Sequence, residues 1–239
     1  MINLGIIGKG KWGSVLYNKL LHLSKIRFVC NSGDNYQLNL KKAEWIFVST
    51  PDSTHYKIVS NCLKAKKKVF CEKPLTTSYN NSKKLFRLAK RFNTKLYVSD
   101  VENFKNKKIT LNKGLNVVIR RKKGRGTHKE LLYKLLYHDL YLLFNLLKRH
   151  KIVKIEKIKN DKYLSFMIKY RKFSIKFIYD VKAKNAYHRI NNINFLTFKK
   201  DPLYKMLKSV LENKVDFKKN NEASLFSDLM IGKIKSKII

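Results

Sequence analysis

Short apolar runs alternate with longer amphipathic stretches along the first hundred residues. The runs are each typical of a buried strand: Ile2 to Ile7, Ile26 to Cys30, Trp45 to Thr50, Lys68 to Cys71 and Lys95 to Ser99. Between them apolar residues recur at helical spacing, as in the stretch that ends near Lys66 and in Asn80 to Arg91. Strands that alternate with helices predict a parallel sheet with right-handed crossovers, whose ligands lie beyond the carboxyl ends of the strands.

The second half of the chain has a different pattern. Ile109 to Arg121 is strand-like, and Lys129 to Arg149 is predicted to be a strong helix. Four further runs alternate well enough for antiparallel strands, namely Ile152 to Ile158, Tyr163 to Tyr170, Phe173 to Tyr179 and Ile193 to Phe198. Turns are expected at Asn160-Asp161 and Arg171-Lys172. Too few helices remain to cover one face of this sheet, so we expect a homo-oligomer.

Composition restricts the class of protein. Hydrophobic residues make up 44% of the 239 residues, which is enough for a core and argues against general disorder. No apolar run reaches the roughly 18 residues of a membrane span, and the first residues look like a strand rather than a signal peptide. Cys30, Cys62 and Cys71 have no metal-binding or disulfide spacing, so we expect a reduced, cytoplasmic protein without a metal site.

The formal net charge of +38 would suit a nucleic-acid binder, but its distribution does not. Lysines are scattered through every segment, without a basic block or a recognisable nucleic-acid motif. Lys, Asn, Ile, Tyr and Phe, whose codons are AT-rich, are abundant, whereas Gly, Ala, Pro and Arg are scarce. Compositional drift therefore explains the charge better than a specific nucleic-acid partner, although anionic ligands should still be attracted.

A glycine motif follows the first strand and precedes the first helix. Gly8 allows a tight turn, Gly10 lets the backbone approach a pyrophosphate, and Gly13 permits close packing of helix on strand. Lys11 and Trp12 stand inside the motif, at a helix N-terminus that favours anions. An ordinary strand-helix turn with chance glycines is the alternative. Three of only nine glycines fall on this template, so we predict a dinucleotide site.

The end of the second strand bears on the choice between NAD and NADP. An acid at this point usually binds the ribose hydroxyls and repels a 2′-phosphate. Here Asn31 and Ser32 stand instead and could donate hydrogen bonds to a phosphate, while Asp34 comes slightly late and could still reach the ribose. The cofactor is therefore NAD or NADP, with a lean towards NADP.

Three motifs in order resemble the Gfo/Idh/MocA family of NAD(P)-dependent oxidoreductases. They are the glycine motif at 8–13, Ser49-Thr50-Pro51-Asp52-Ser53-Thr54-His55, and Glu72-Lys73-Pro74-Leu75. Asp201-Pro202-Leu203 and Glu222-Ala223 near the end are similar to the family as well. The resemblance implies an α/β fold, with a Rossmann-type parallel sheet domain at 1–104. A smaller α+β domain with an open-faced, mainly antiparallel sheet follows at 105–239, and its last helix could pack back on the first domain.

The resemblance also implies chemistry and site residues. Family members mostly oxidise or reduce a hydroxyl or carbonyl of a sugar or nucleotide-sugar. Residues matching the motifs become candidates for the cofactor site: Thr50, Pro51, His55, Glu72 and Lys73, beside Gly8, Gly10, Lys11, Trp12, Gly13, Asn31 and Ser32. Lys73 is the catalytic candidate, because removing a hydride from a secondary alcohol requires its hydroxyl proton to be taken. The alternative is a surface lysine among 54 basic residues.

A second group of candidates lies in the long helix. Family members often carry an Asp and a His four residues apart here, both facing the nicotinamide. His138 fits the histidine and becomes a catalytic and substrate-binding candidate, but Lys134 replaces the acid. The predicted substrate set comprises Lys73, Lys134, His138 and Asn103, the last of which follows the fifth strand. A structural histidine is the alternative for His138, and His188 shows no partners in the sequence.

Three hypotheses follow for the function. The first is an oxidoreductase acting on a sugar or nucleotide-sugar, with an acidic sugar and surface-polysaccharide synthesis as narrower versions. The second is a dinucleotide-binding relative that has lost catalysis, suggested by the short second half and by Lys134. The third is a basic nucleic-acid binder on this scaffold. Retention of Lys73 favours the first over the second, and scattered charge disfavours the third.

Overall fold

The computed structural model describes residues 1–31, 33–121, 132–158, 164–180, 185–198 and 200–238. The chain forms two compact units. The first comprises Met1–Asp100 and Leu203–Asp228, and the second comprises Val101–Pro202 and Leu229–Ile239. No helix of the described ranges is long and apolar enough to cross a membrane.

The first unit contains a five-stranded sheet in the order β2-β1-β3-β4-β5, in which every pair is parallel. The strands are β1 Asn3–Ile7, β2 Lys25–Cys30, β3 Trp45–Val48, β4 Lys68–Cys71 and β5 Leu96–Val98. The helices are α1 Lys11–Leu20, α2 Asp52–Lys64 and α3 Tyr79–Arg91, with a 3-10 helix at Tyr36–Lys42 between β2 and β3. The sequence pattern predicted each of these strands within a few residues.

Burial explains why the central strands read as continuous apolar runs. All four residues of β3 are fully buried, as expected for a parallel strand covered on both faces. Aromatic rings stack along the sheet, and the rings of Phe47 and Phe70 lie 4.6 Å apart. Phe217 adds its ring to this row against Trp45 and Tyr97, so the segment after Leu203 completes the core of the first unit.

The last two helices are α5 Pro202–Leu211 and α6 Phe217–Ile238. The side chain of Asn220 in α6 forms hydrogen bonds with the edge strand β5, as the backbone of a neighbouring strand would. Its side-chain amide accepts a hydrogen bond from the Val98 N–H and donates one to the Val98 carbonyl, both at 2.9 Å. The backbone N–H and carbonyl of Val98, at this edge of the sheet, are thereby both hydrogen-bonded.

The second unit contains a six-stranded sheet in the order β11-β10-β6-β9-β8-β7. Its strands are β6 Gly114–Arg121, β7 Ile152–Ile158, β8 Leu164–Tyr170, β9 Phe173–Asp180, β10 Tyr187–Ile190 and β11 Ile193–Asn194. Only the β6–β9 pair is parallel, so the sheet is mainly antiparallel as predicted. The second unit also contains a 3-10 helix at Val101–Lys105, a π-helix at Leu132–Leu136, α4 Tyr137–Leu147 and the end of α6 from Leu229.

Some boundaries predicted for the second unit were wrong. The strand predicted at 109–121 begins at Gly114, and the strand predicted at 193–198 is only Ile193–Asn194. The chain turns at Asn191, which has a positive φ of 51° and whose side chain accepts a hydrogen bond from the Val117 N–H, so the paired residues fall earlier, in β10. The turn predicted at 160–161 and the start of the helix predicted at 129 lie outside the described residues.

Candidate functional site

Two glycines hold the first turn tightly against the sheet. Gly8 has φ of +107°, and a Cβ there would lie 2.7 Å from the backbone of Ser49. A Cβ on Gly13 would lie 1.9 Å from the carbonyl oxygen of Gly8. Ser49 Oγ donates to that same oxygen at 2.8 Å, and the Gly8 N–H donates to the Cys30 carbonyl at 2.7 Å. No side chain therefore fits at either glycine, as the motif predicts.

Gly10 has the opposite environment. Among the described residues, no atom beyond its chain neighbours lies within 4 Å of a Cβ placed on Gly10. Gly10 is the N-cap of α1 and has no side chain to accept from the first turn of that helix. The N–H groups there are oriented towards open space, which is the arrangement that binds phosphate groups. The cradle therefore fits a dinucleotide pyrophosphate, with exposed Lys11 and Trp12 at the start of the helix.

The loop after β3 is tied to the loop after β4 by one histidine. His55, in the first turn of α2, is buried. Its Nε2 lies 2.8 Å from the Thr50 carbonyl oxygen, and its Nδ1 lies 2.8 Å from the Pro74 carbonyl oxygen. His55 therefore holds the backbone at Thr50, just before Pro51, and at Pro74, just after Lys73. The assignment of His55 to the cofactor set stays a prediction.

Glu72 and Lys73 follow directly on the buried end of β4. The Glu72 side chain is buried and Lys73 is half-buried, and the Lys73 N–H lies 3.3 Å from Glu72 Oε2. Burial raises the pKa of Glu72, whereas Trp12, the Lys73 charge and Ser99 favour its ionised form. A buried carboxyl group beside the lysine therefore contacts the loops that follow β1 and β5. The Lys73–Pro74 peptide bond is cis.

The carboxylate of Asp34 lies close to the end of β2, which the sequence had left open. The Asn31 N–H donates to Asp34 Oδ2 at 2.6 Å, which brings the late carboxylate back to the strand end. Ser32, predicted to bind the cofactor, lies outside the described residues. A carboxylate at this place weakens the sequence argument for NADP, because it would repel a 2′-phosphate.

The predicted cofactor residues are thus brought together at one edge of the first unit's sheet. The glycine motif, Thr50-Pro51 and Glu72-Lys73 follow β1, β3 and β4, which are neighbours in the sheet. The predicted substrate residues belong to the second unit. Asn103 lies in the 3-10 helix, exposed Lys134 lies in the π-helix and half-buried His138 lies in α4. The roles of all these residues remain predictions.

The structure shows a buried ionic cluster that the sequence analysis missed. Arg120 lies 2.6 Å from Glu102 and 3.2 Å from Asp139. His188, to which no partner had been assigned, lies 2.8 Å from Asp139 and 3.6 Å from Glu102. Tyr179 donates to Asp139 at 2.7 Å. One signal was available: in a chain with only 16 acidic residues, Asp139 interrupts the apolar side of a helix.

Comparison with known proteins adds to this geometry. Residues 18–100 match the family model of the Gfo/Idh/MocA oxidoreductases, described as an oxidoreductase family with an NAD-binding Rossmann fold. This part of the chain is similar to the Gfo/Idh/MocA oxidoreductases. The matched range begins after the glycine motif, so the assignment of that motif as a dinucleotide site depends on the geometry of the loop.

The curated relatives match only parts of this chain. An uncharacterized oxidoreductase of Schizosaccharomyces pombe is 44% identical over 61 residues, which cover 26% of this chain and 16% of that protein. The 2,7-anhydro-N-acetylneuraminate hydratase of Escherichia coli is 27% identical over 124 residues, which cover 44% of this chain and 33% of that protein. This chain is therefore matched to a third or less of the length of either curated relative.

A similar structure covers nearly the whole chain. The UDP-N-acetylglucosamine 3-dehydrogenase GnnA from Acidithiobacillus ferrooxidans superposes with a TM-score of 0.85 over 99% of this chain and 97% of that chain. The sequences are only 12% identical, so the likeness shows the fold.

Within the described residues, no group of three or more His, Cys, Asp or Glu side chains is arranged to hold a metal ion.

Proposed function

We propose that the protein is an NAD(P)-dependent oxidoreductase that transfers a hydride to or from a hydroxyl-bearing carbon of a sugar or nucleotide-sugar. The observation that carries this proposal is the open N-terminus of α1 at Gly10, on the same sheet edge as Lys73. A dinucleotide cradle and a half-buried lysine are the two parts that hydride transfer from an alcohol requires. The match of residues 18–100 to an oxidoreductase family model supports the same reaction class.

Each part of the first unit has a defined task in this proposal. The N–H groups that begin at Lys11 bind the pyrophosphate, and Gly8 and Gly13 let the helix approach closely enough. The nicotinamide, when bound, supplies the hydride acceptor or donor. Lys73 Nζ takes the hydroxyl proton during oxidation and returns it during reduction. Burial raises the pKa of the neighbouring Glu72 carboxyl group and so disfavours a fixed negative charge that would hold Lys73 as an ammonium, which cannot accept a proton.

The substrate class is argued from the second unit and from the relatives. Lys134 places an exposed ammonium one turn before His138, where the family commonly has an acid, which favours a substrate that carries a carboxylate or phosphate. One similar structure is a UDP-N-acetylglucosamine dehydrogenase, and one relative is named for a neuraminate, an acidic sugar. We infer an anionic sugar or nucleotide-sugar, with Asn103, Lys134 and His138 contacting it.

The position of Asp34 supports NAD rather than NADP as the cofactor. The carboxylate of Asp34 lies beside Asn31 at the end of β2, where an acid binds ribose hydroxyls and repels a 2′-phosphate. The test is a fluorescence titration with NADH and NADPH on the wild-type protein and on Asp34→Asn. We expect the wild type to bind NADH more tightly than NADPH. Asp34→Asn should reduce the difference between these two affinities.

The test of the proposed reaction uses a substitution at Lys73. Lys73→Met should abolish nicotinamide reduction with a panel of sugars and nucleotide-sugars while NADH affinity is retained. Lys57→Met, at an exposed position of α2, is the matched control. Mass spectrometry of the native protein identifies any co-purified dinucleotide or sugar with which to begin the panel. Full turnover by Lys73→Met would refute the assigned role.

The second candidate function is a dinucleotide-binding protein without catalysis. Lys134 in place of the acid is the observation that favours it, since the family residue at this position is expected to face the nicotinamide. The two candidates differ in one result. Binding of NADH with no turnover of any sugar in the panel, in either direction, supports the second.

A further inference from the structure

Arg120 and His188 are direct cross-strand partners in the antiparallel pair of β6 and β10. Both side chains reach the same two carboxylates. Arg120 contacts Glu102 through Nη2 at 2.6 Å and Asp139 through Nη1 at 3.2 Å. His188 lies 2.8 Å from Asp139 through Nε2 and 3.6 Å from Glu102 through Nδ1. Two adjacent strands therefore hold the same pair of acids.

Each of these acids is the chain neighbour of a proposed substrate residue. Glu102 precedes Asn103 in the 3-10 helix Val101–Lys105, and Asp139 follows His138 at the start of α4. Fixing the two carboxylates therefore fixes the backbone from which Asn103 and His138 project. The charge of His138 also acts on Glu102 and favours its ionised form, so the two groups lie within electrostatic reach.

Burial makes this arrangement stringent. Asp139 is 0% exposed, and the side chains of Glu102, Arg120 and His188 are 7%, 12% and 2% exposed. Buried charges are stable only with well-placed partners, because their hydration is lost. Lys105 adds a contact to Glu102 at 2.9 Å. A shift of either acid would leave a buried charge without compensation, so the cluster favours one position of the two segments.

We propose that Arg120 and His188 form a positioning clamp, acting through Glu102 and Asp139, that sets the places of Asn103 and His138 for substrate binding. This inference rests on the proposed function, because Asn103 and His138 are substrate residues only in that proposal. Arg120 and His188 are positioning residues: they act on the substrate through the acids. A purely structural role would instead lower stability without a selective effect on the substrate side.

The charge of His188 belongs to the clamp. Burial alone would lower the pKa of His188, but Asp139 and Glu102 raise it above its usual value, with Arg120 opposing them. Burial would likewise raise the pKa of Glu102, but His188, Arg120, His138 and Lys105 together hold it well below its usual range. Tyr179 and the ring of Phe195, 4.8 Å from the imidazole, complete the surroundings of the cluster.

The pH dependence of the clamp has a definite sign. A histidine whose folded pKa is raised contributes its stabilisation fully below the ordinary pKa and loses it as the pH rises through the folded value. Above that value the two acids lose the charge of His188 and keep their contacts with Arg120, and Glu102 keeps its contact with Lys105. Substrate binding should therefore weaken on the alkaline side, while the cofactor residues of the first unit are unaffected.

The kinetic test uses His188→Gln, which keeps polar atoms near the acids but cannot become charged. We expect KM for the sugar to rise by about tenfold or more, since small misplacements of binding groups are costly, while NADH affinity changes by less than about twofold. The alkaline decline of kcat/KM that His188 causes should disappear. Arg120→Met should give a larger rise in KM, and Arg120→Lys should restore part of it.

A second measurement does not need turnover. In histidine-labelled wild-type protein, the His138 ring signal should move together with the titration of His188, and the ring signals of exposed His22 and His150 serve as references. His188→Gln should remove that coupled movement. An unchanged KM and an uncoupled His138 signal in folded protein would overturn the clamp. If the wild type turns over no sugar, the proposed function fails, and the His138 signal still decides whether the clamp exists.

Discussion

Gly13 lies so close to Gly8 that a single added methyl group would place carbon 1.9 Å from the Gly8 carbonyl oxygen. That contact joins the first turn of α1 to the end of β1. Gly10, three residues before Gly13, has open space instead. One glycine is thus required for packing and the other for access of a ligand, although both belong to the same short motif.

The two glycines should respond differently to substitution. Gly13→Ala should lower the melting temperature and NADH affinity together, because backbone atoms of Gly8 must move. Gly10→Ala should leave the melting temperature nearly unchanged and weaken NADH binding, and Gly10→Asp should abolish binding of both NADH and NADPH through added bulk and negative charge. Thermal unfolding and fluorescence titration measure the two effects. Unchanged affinity in Gly10→Asp would contradict the dinucleotide site.

Asp228 gives the first unit a pH-dependent stability. Burial raises the pKa of its carboxyl group to about 7, and the nearby Ser82 hydroxyl opposes the shift in part. Because the folded pKa exceeds the unfolded one, stability is lost as the pH rises from about 4 towards 7 and then levels off. Asp228→Asn should therefore have little effect on the free energy of unfolding near pH 4 and add a few kcal/mol at pH 8.

Urea unfolding of the wild type and Asp228→Asn at pH 4, 6 and 8 tests this prediction. The comparison between the two proteins at each pH cancels the effect of the net charge of +38, since the variant changes one buried group. Glu44→Gln, at a position more than half exposed, is the control and should show no such trend. An equal difference between wild type and Asp228→Asn at all three pH values would contradict the assignment.

Lysines that are scattered in the sequence do meet at one place. Lys41, Lys42, Lys66, Lys67 and Lys68 line a concavity of about 280 Å³ together with Asn3, Ala43 and Glu44, at the end of the sheet where β1, β3 and β4 begin. We expect this concavity to carry much of the weak binding to random duplex DNA at low salt. Because phosphate contacts of this kind release counterions, binding should vanish as salt rises to physiological levels.

Replacing these five lysines with glutamine should reduce low-salt DNA binding and flatten its dependence on salt, as measured by fluorescence anisotropy. Replacing five exposed lysines elsewhere in the chain is the matched control and should have a smaller effect. A sequence-selective complex that persists at physiological salt would contradict compositional drift as the source of the charge.

The fold of the first unit was predictable because its evidence is local. Each strand is a short apolar run buried on both faces, and each site motif stands directly after such a run. The resemblance implied that the last helix could pack back on the first domain, but the particular contacts of Phe217 and Asn220 were not predictable, because the residues they contact lie more than a hundred positions earlier in the chain. The sequence likewise left open whether Asp34 could reach the ribose, because the hydrogen bond that brings its carboxylate to Asn31 could not be predicted, and the choice between NAD and NADP stays a prediction.

The ionic cluster of the second unit marks the limit of reasoning from periodicity. Alternation correctly predicted strands around Phe166 and Phe177, whose rings stack 5.0 Å apart. It could not show that Arg120 and His188 are cross-strand partners, since the strand that carries His188 was not predicted at all. The pattern of alternation is therefore least informative at polar residues on the inward face of a strand. The chemistry of such residues says more about the site than the pattern does.

Lys134 gives the sharpest test of the substrate class. Its exposed ammonium stands four residues before His138, where the family commonly has an acid, and we expect it to pair with a carboxylate or phosphate of the substrate. Lys134→Asp should raise KM for anionic sugars by about tenfold or more while KM for neutral sugars changes little, because a favourable charge pair becomes a repulsive one.

Lys151→Asp, an exposed position after α4, makes the same charge change and should leave the ratio of the two KM values unaltered. Steady-state kinetics with matched neutral and acidic sugars at two salt concentrations measure this ratio, and the effect of Lys134→Asp should shrink as salt screens the charge. Equal KM ratios in the wild type and in Lys134→Asp would place Lys134 outside the substrate site.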